Sequence, residues 1–366
     1  MKLETQRERL LKPLQQVIGV VERRQTLPVL ANVLVTAQVE TLTMVATDME
    51  VVLQAEEHLP VEEGGEITLP GRKLLDILRA LPEEAKVHLT IDNDRALLRC
   101  GRSRFNLATL PAADFPAQED IAADGELRLS QASLRELLEQ THFAMAQQDV
   151  RYYLNGLMLE VTDNGLRAVA TDGHRLAYAE ASAEVTAKVG LQVIVPRKGI
   201  QELLRLLGDA EDLVVLRIGA NHIQAVLGEI RFTSRLIDGR FPDYQRVIPR
   251  ETARAIVADR LGLRTALART AILSSDKYRG VRLRAENHVL QVQAHNPEQE
   301  EAQEEVEVSY GDEPLEIGFN VTYLLDALGA LEGENVKLAF TDANSSCLLT
   351  EVESSAARYV VMPMRL

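Results

Sequence analysis

The sequence predicts an α+β fold built as three tandem copies of one domain, each a sheet carrying two helices, and three sets of markers support it. Asp48 in Val45-Ala46-Thr47-Asp48, Asp172 in Ala170-Thr171-Asp172-Gly173-His174-Arg175-Leu176-Ala177 and Asn296 in Gln293-Ala294-His295-Asn296 follow one another at 124 residues. Strand-to-helix passages recur as Ile67-Thr68-Leu69-Pro70 into Lys73 to Leu81, Val193-Ile194-Val195-Pro196 into Ile200 to Leu207, and Leu315 to Phe319 into Val321 to Leu331. Arg104-Phe105, Arg231-Phe232 and Arg358-Tyr359 open late strands at a spacing of 127. Repeats of this length are whole domains rather than solenoid units, and a third of 366 residues is an ordinary domain size. The expected domains are 1–122, 127–243 and 244–366.

The first unit opens with a helix from Arg7 to Val21, because Leu10, Leu11, Leu14, Val17, Ile18 and Val21 recur at three and four. Residues 31 to 37, 41 to 46 and 49 to 55 read as a β-meander. Gly64-Gly65 is a turn, and a strand at 66 to 69 yields to a helix from Arg72 to Leu81 with one apolar face. Strands follow at 86 to 91, 95 to 100 and 103 to 109. Residues 111 to 127 combine Pro111, Pro116, Asp114, Glu119, Asp120 and Gly125 without periodicity, the composition of a linker.

The second unit repeats the order. Ser130 is the expected N-cap of a helix through Leu134, Leu137, Leu138 and Phe143. Strands are expected at 154 to 161 and 166 to 171, a helix at 197 to 207, and strands at 213 to 218, 222 to 227 and 230 to 236. Asp238-Gly239-Arg240-Phe241-Pro242 is a turn. In the third unit, helices are expected at 260 to 273 and 321 to 331, with strands at 280 to 285, 289 to 294, 336 to 341, 346 to 352 and 358 to 362. Glu298, Glu300, Glu301, Glu304 and Glu305 form the densest acidic run, whose charge alone reads as a solvated loop.

Bulk composition narrows the function classes. With 46% hydrophobic and 26% charged residues the chain is globular. No run approaches the ~20 apolar residues that span a bilayer, and the first residues lack a signal-peptide core, so a cytoplasmic protein is expected. Cys100 and Cys347 lie in different domains, which supports neither a disulfide framework nor a thiolate metal cage, and both are expected to be buried. No metal or cofactor is expected. The net charge of −15 argues against indiscriminate binding of nucleic acid.

The common hydrolase, nucleotide-binding and zinc signatures are absent. Asp172 with His174 is the one pair suited to general base catalysis, yet Gly173 between them predicts a turn that the Asp side chain caps. The echo of this residue at Asp48 and Asn296 favours the architectural role. Tyr152-Tyr153 beside Arg151 and Gln148 is a set that can stack on bases and hold phosphates.

At Asp149 to Gly156, Ala170 to Ala177, Val195 to Gly199, Asp238 to Tyr244 and Val360 to Leu366 the chain closely resembles the bacterial DNA polymerase III β subunit family of sliding clamps. The resemblance runs from Leu10 to Leu366. It implies a head-to-tail homodimeric ring around double-stranded DNA, with helices lining the hole and no catalysis. It also implies docking of the replicative polymerase, the clamp loader and repair and translesion polymerases through short peptides. A ring needs only weak, sequence-blind phosphate contacts, which reconciles DNA binding with the acidic total.

By the same resemblance, Arg24, Gln148, Tyr152, Tyr153, Arg197 and Lys198 are DNA-contacting positions. The partner-peptide pocket carries over to Leu154, Thr171, Gly173, His174, Arg175, Leu176, Pro242, Arg246, Val247, Asn320, Tyr323, Ser346, Val360, Val361, Met362, Pro363 and Met364. Tyr278 and Asn344 stand where the family varies. The subunit interface carries over to Phe105 and Leu107 on one side and Ile272 and Leu273 on the other. Lys73, Arg102 and Arg104 face Glu298, Glu300, Glu301 and Glu304 across it. A hydrolase using Asp172 and His174, and a scaffold that binds proteins only, are the competing readings.

Overall fold

The computed structural model describes residues 1–21, 27–92, 94–117 and 121–365. Six α-helices lie among them: Arg7–Val17, Gly71–Ala80, Gln131–Glu139, Arg197–Leu206, Arg260–Thr270 and Val321–Ala330. That is two per repeat, as expected. The chain falls into two compact units that cut through the second repeat. The cause is strand pairing across repeats, which fuses neighbouring sheets.

The first unit comprises Met1–Ala132, Glu184–Lys188 and Lys198–Leu236. It holds a four-stranded sheet and a nine-stranded sheet. In the larger one, strand Ile230–Arg235 pairs antiparallel with Val51–His58, which joins second-repeat strands to the first-repeat meander. Leu10, Leu14 and Val17 of the first helix and Leu74, Leu75 and Leu78 of the second are buried in its core.

The second unit comprises Ser133–Ala183, Val189–Arg197 and Ile237–Leu366 and carries one twelve-stranded sheet. There, strand Arg175–Ser182 pairs with Arg358–Val361, again joining two repeats. Phe319 and Phe340 pack at 6.3 Å between centroids in its core.

Several expectations need correction. The first helix stops at Val17 and continues as a 3₁₀ turn, Ile18–Val20; the helix of the third repeat likewise ends at Thr270, with Ala271–Leu273 as a 3₁₀ turn. Phe143 sits on the 3₁₀ turn His142–Ala144, outside the helix Gln131–Glu139. Gly65 opens the strand Gly65–Pro70 instead of completing a turn. The linker ends early, because Ala123–Ser130 is a strand whose Leu127 and Leu129 are buried. Its alternation is short and masked by the acids and prolines before it.

Strands Arg175–Ser182 and Arg254–Asp259 were not foreseen. The first is buried on both faces from Leu176 to Ala179, so it shows no alternation. The acidic run is not simply a loop either. Glu301–Ser309 is a strand on which Ala302, Glu304, Val306 and Val308 turn to the less exposed face. Cys347 is buried, and burial pushes its thiol pKa upward, but Cys100 is only half-buried. The linker acids Glu119 and Asp120 and the terminal Leu366 lie outside the described residues.

Candidate functional site

The site in the second unit begins with a turn held by two side chains. Asp172 Oδ1 accepts the backbone N–H of His174 at 2.9 Å and of Arg175 at 3.0 Å. Thr171 Oγ1 accepts from Gly173 N–H at 3.1 Å and donates to the Arg175 carbonyl at 2.6 Å. Gly173 has φ +89°, where a side chain is strained. Asp48 and Thr47 make the same bonds to Met49, Glu50 and Val51, so the repeated Asp is architectural. Asn296 departs from them. Its side chain accepts from Glu300 N–H, closing a turn one residue longer.

These bonds also remove the catalytic reading. The second carboxylate oxygen of Asp172 takes Arg175 Nε at 3.2 Å, and the His174 ring stacks on Tyr323 at 6.5 Å. The carboxylate is held by backbone and guanidinium, and among the described residues no hydrogen bond joins it to the His174 ring.

The C-terminal strand is zipped directly onto this turn. Arg175 pairs with Val361 and Leu176 with Val360, and Met362 N–H donates to the His174 carbonyl at 2.9 Å. Met364 N–H then donates to Gly318 carbonyl at 2.9 Å, which draws Pro363 along the same path. Beneath lies an apolar floor of Leu154, Leu176, Tyr178, Phe241, Tyr244 and Val360, with Tyr153 and Ile248 against it. Leu154, Leu176, Val360 and Val361 are all at least 98% buried, so they are floor; the accessible apolar groups are Val247 and Met362.

Arg175 fixes the site's second wall. Its Nη1 contacts Asp326 at 2.5 Å, its Nη2 donates to Phe143 carbonyl at 2.8 Å, and its guanidinium lies 4.6 Å from the Tyr323 ring centre. Asn320 caps the helix bearing Tyr323 by accepting from Thr322 N–H at 2.9 Å. Burial, then the charge of Asp172, holds the Tyr323 hydroxyl pKa above its usual value, so it stays a neutral donor. Pro242 and Arg246 are exposed at the rim, where Arg246 pairs with Asp243 at 2.9 Å, and Ser346 is half-buried. Tyr278 is exposed beneath Lys277, and Asn344 closes a turn by donating its backbone N–H to Asp342.

The sequence reading missed the continuation of this floor. A cavity of about 550 Å³ extends along the same sheet face over Arg167, Tyr178, Tyr244, Ile248, Arg250 and Arg358. Arg167 contacts Glu160 and Glu180 at 2.6 Å each and Tyr244 Oη at 2.7 Å. Burial alone lowers an arginine pKa; the hydrogen bonds that Arg167 donates to Glu180 and Glu160 overcome that and raise it. Burial and Glu180 push the Tyr178 hydroxyl up to about 12. The available signal was period two, since Leu176 and Tyr178 share one strand face.

The expected DNA residues are less uniform. Arg24 lies outside the described residues. Gln148 is exposed with φ +55°, and Tyr152 is 58% exposed on the 3₁₀ turn Tyr152–Leu154, edge-on to Tyr153. Asp149 anchors this loop: hydrogen bonds from Arg151 pull its carboxyl pKa down to about 2. Arg197 donates to Met145 carbonyl at 3.2 Å and Lys198 pairs with Asp48 at 2.5 Å, so both already have protein partners. In the first repeat Arg72, the second residue of the helix Gly71–Ala80, likewise donates to a backbone carbonyl, that of Val21.

Of the expected interface residues, Arg104, Phe105, Leu107, Glu301 and Glu304 lie on two strands with open edges. Ser103–Ala108 ends the four-stranded sheet, and among the described residues it pairs only with Arg95–Cys100. Phe105 is half-buried, Leu107 buried, and Lys73, Arg102 and Arg104 exposed. In the other unit, Glu301–Ser309 pairs fully with Val289–His295, but its other side is paired only at Val308 and Ser309. Glu298, Glu300 and Glu301 are exposed, while Glu304 already pairs with Arg269 at 2.6 Å. Ile272 is 76% exposed, and Leu273 beside it is half-buried.

Three family models tile the chain: the DNA polymerase III beta subunit N-terminal domain matches residues 1–119, the central domain 128–243 and the C-terminal domain 245–365. The chain belongs to the DNA polymerase III β subunit family. It is 55% identical to the beta sliding clamp of Pseudomonas putida and 48% identical to that of Escherichia coli, each over the full length of both chains. It superposes on a crystal structure of the DNA polymerase III subunit β from Pseudomonas aeruginosa with a TM-score of 0.97 at 52% identity, covering all of both chains. Another P. aeruginosa structure, bound to griselimycin, matches equally well, with a TM-score of 0.97 at 52% identity over all of both chains. Members of this β subunit family are non-catalytic processivity factors for DNA polymerase III, built from three tandem domains.

Proposed function

We propose that two copies of this chain close head to tail into a ring around duplex DNA and tether the replicative polymerase to its template. The chain is a processivity clamp of DNA replication. The observation that carries the ring is the pair of open strand edges, one flanked by Arg102 and Arg104, the other bearing Glu301. Unpaired edges invite a partner strand, and opposite charge fixes which edge meets which. Ile272 and Leu273 supply the apolar centre that such an interface needs.

Within that ring we divide the chain into clamp domains 1–122, 127–243 and 244–366, with helices toward the DNA. Arg24, Gln148, Tyr152 and Tyr153 touch the duplex. Arg197 and Lys198 add positive potential from positions that are already paired.

The cleft of His174, Arg175, Tyr323, Val247 and Met362 receives short Leu- and Phe-bearing peptides of the polymerase, clamp loader and repair polymerases. The griselimycin-bound relative supports a ligand-accepting clamp surface. No described helix is long and apolar enough to cross a membrane, and we place the protein in the cytoplasm with the chromosome. Sedimentation tests the assembly: the expected mass is twice the 40.6 kDa chain, and a strict monomer at micromolar concentration contradicts it.

A further inference from the structure

The architecture of the peptide cleft is present twice. In the first unit, Thr233 pairs with Val52 and Arg231 with Gln54; in the second, Val360 pairs with Leu176 and Arg358 with Tyr178. Arg235 N–H donates to Glu50 carbonyl at 2.9 Å, as Met362 N–H does to His174 carbonyl. The turn before each strand carries the same Asp and Thr bonds. Phe115-Pro116 stands where the second unit has Phe241-Pro242. Backbone, register and the turn residues are shared between the two, and several of the lining side chains are not.

The substitutions run in one direction. Where the second unit has Tyr178, Val360 and Met362, the first has Gln54, Thr233 and Arg235. They line a cavity of about 310 Å³, within the range of small ligand sites. Arg231 and Arg235 lie on one face of their strand, about 13 Å apart at the rise of an extended chain. Neither guanidinium has an ion-pair or hydrogen-bond partner among the described residues. His222 joins them in the lining, Glu50 is the one acid there among the described residues, and Met49, Val52 and Ile121 leave a smaller apolar strip.

We propose that this cavity is a second peptide-docking groove, specific for an extended acidic segment of a partner protein with carboxylates four residues apart. Each carboxylate meets one guanidinium in a charge-assisted, forked hydrogen bond, and the residues between them lie on Val52 and Ile121. A peptide fits better than a nucleic acid backbone because the groove repeats a strand-lined cleft and keeps an apolar strip, which phosphates do not use.

The test is fluorescence anisotropy on the full chain with a labelled ten-residue peptide carrying two glutamates four positions apart among valines and alanines. Its glutamine twin is the control. The Glu peptide is expected to bind at least ten-fold tighter than the Gln peptide, and Arg231→Gln with Arg235→Gln removes that difference. Arg235→Met, the residue type standing at the counterpart position, weakens the Glu peptide on its own. Unchanged binding of a Leu/Phe peptide by the variants shows that the fold and the other cleft are intact. Three results overturn the proposal: equal binding of the two peptides, displacement of the Glu peptide by excess Leu/Phe peptide, or displacement by short duplex DNA at matched ionic strength.

Discussion

The backbone N–H of Met362 is bonded to the carbonyl of His174 at 2.9 Å, which ties the end of the chain to a turn in the second repeat. The peptide cleft therefore depends on the last residues while the rest of the sheet does not. Deleting Met362 to Leu366 is expected to abolish binding of a Leu/Phe peptide. Burying two such side chains contributes ~1.5 to 3 kcal/mol each, and ordering the peptide offsets part of it, so the intact cleft should bind at about micromolar Kd, ~−8 kcal/mol. Calorimetry decides it, with unchanged affinity after deletion placing the cleft elsewhere. The dimer should survive the deletion.

Ile272 is exposed on a 3₁₀ turn beside the open edge of Glu301–Ser309. Ile272→Ala with Leu273→Ala should give folded monomers, because truncating central interface residues costs ~2 kcal/mol or more. Light scattering at nanomolar to micromolar concentration reads the outcome. A dimer that persists throughout would mean that other residues hold it.

The Arg167 network sets an acid limit on the second unit. Burial tends to raise the pKa of Glu160 and Glu180, but Tyr244, Tyr178 and Arg167 hydrogen bonds outweigh it and lower both below 4.5. Carboxylates depressed in the folded state stabilise it above their ordinary pKa and lose that contribution as pH falls through the folded value. Thermal melts should therefore be flat in this respect from pH 7 to about 5 and decline below about 4.5. Glu160→Gln with Glu180→Gln should blunt the acid decline; an identical pH profile would show the network to be energetically idle.

The repeat, the two helices per repeat and most strands were legible because apolar periodicity and turn chemistry are local properties. The turn role of Asp172 was legible for the same reason, since its partners His174 and Arg175 are two and three residues away. What was hidden depends on tertiary surroundings. Strand Arg175–Ser182 lacks alternation because both its faces are covered. The strand at Glu301 was obscured by its own charge. Arg197, a DNA-contacting position by resemblance, donates to the Met145 carbonyl 52 residues away, a distant pairing that no spacing rule reveals. The cavity over Arg167 needed Tyr244 brought beside Tyr178, at 6.0 Å between ring centres.

Tyr152 is more than half exposed beside Gln148, in a loop pinned by Asp149 and Arg151. Arg24→Ala, Tyr152→Ala and Tyr153→Ala together should slow loading onto DNA and leave the melting temperature nearly unchanged for the exposed positions. Loss of the fold instead of loading would reassign Tyr153, which also packs against the apolar floor.

Encirclement is tested most directly by retention on DNA of two topologies. Rings loaded onto nicked circular duplex are washed at about 1 M salt, where the Debye length is ~3 Å and phosphate contacts are screened, and half the sample is then linearised. The account predicts that clamps stay on the circle and run off the linear ends. Equal retention on both, or equal loss from both, would contradict it.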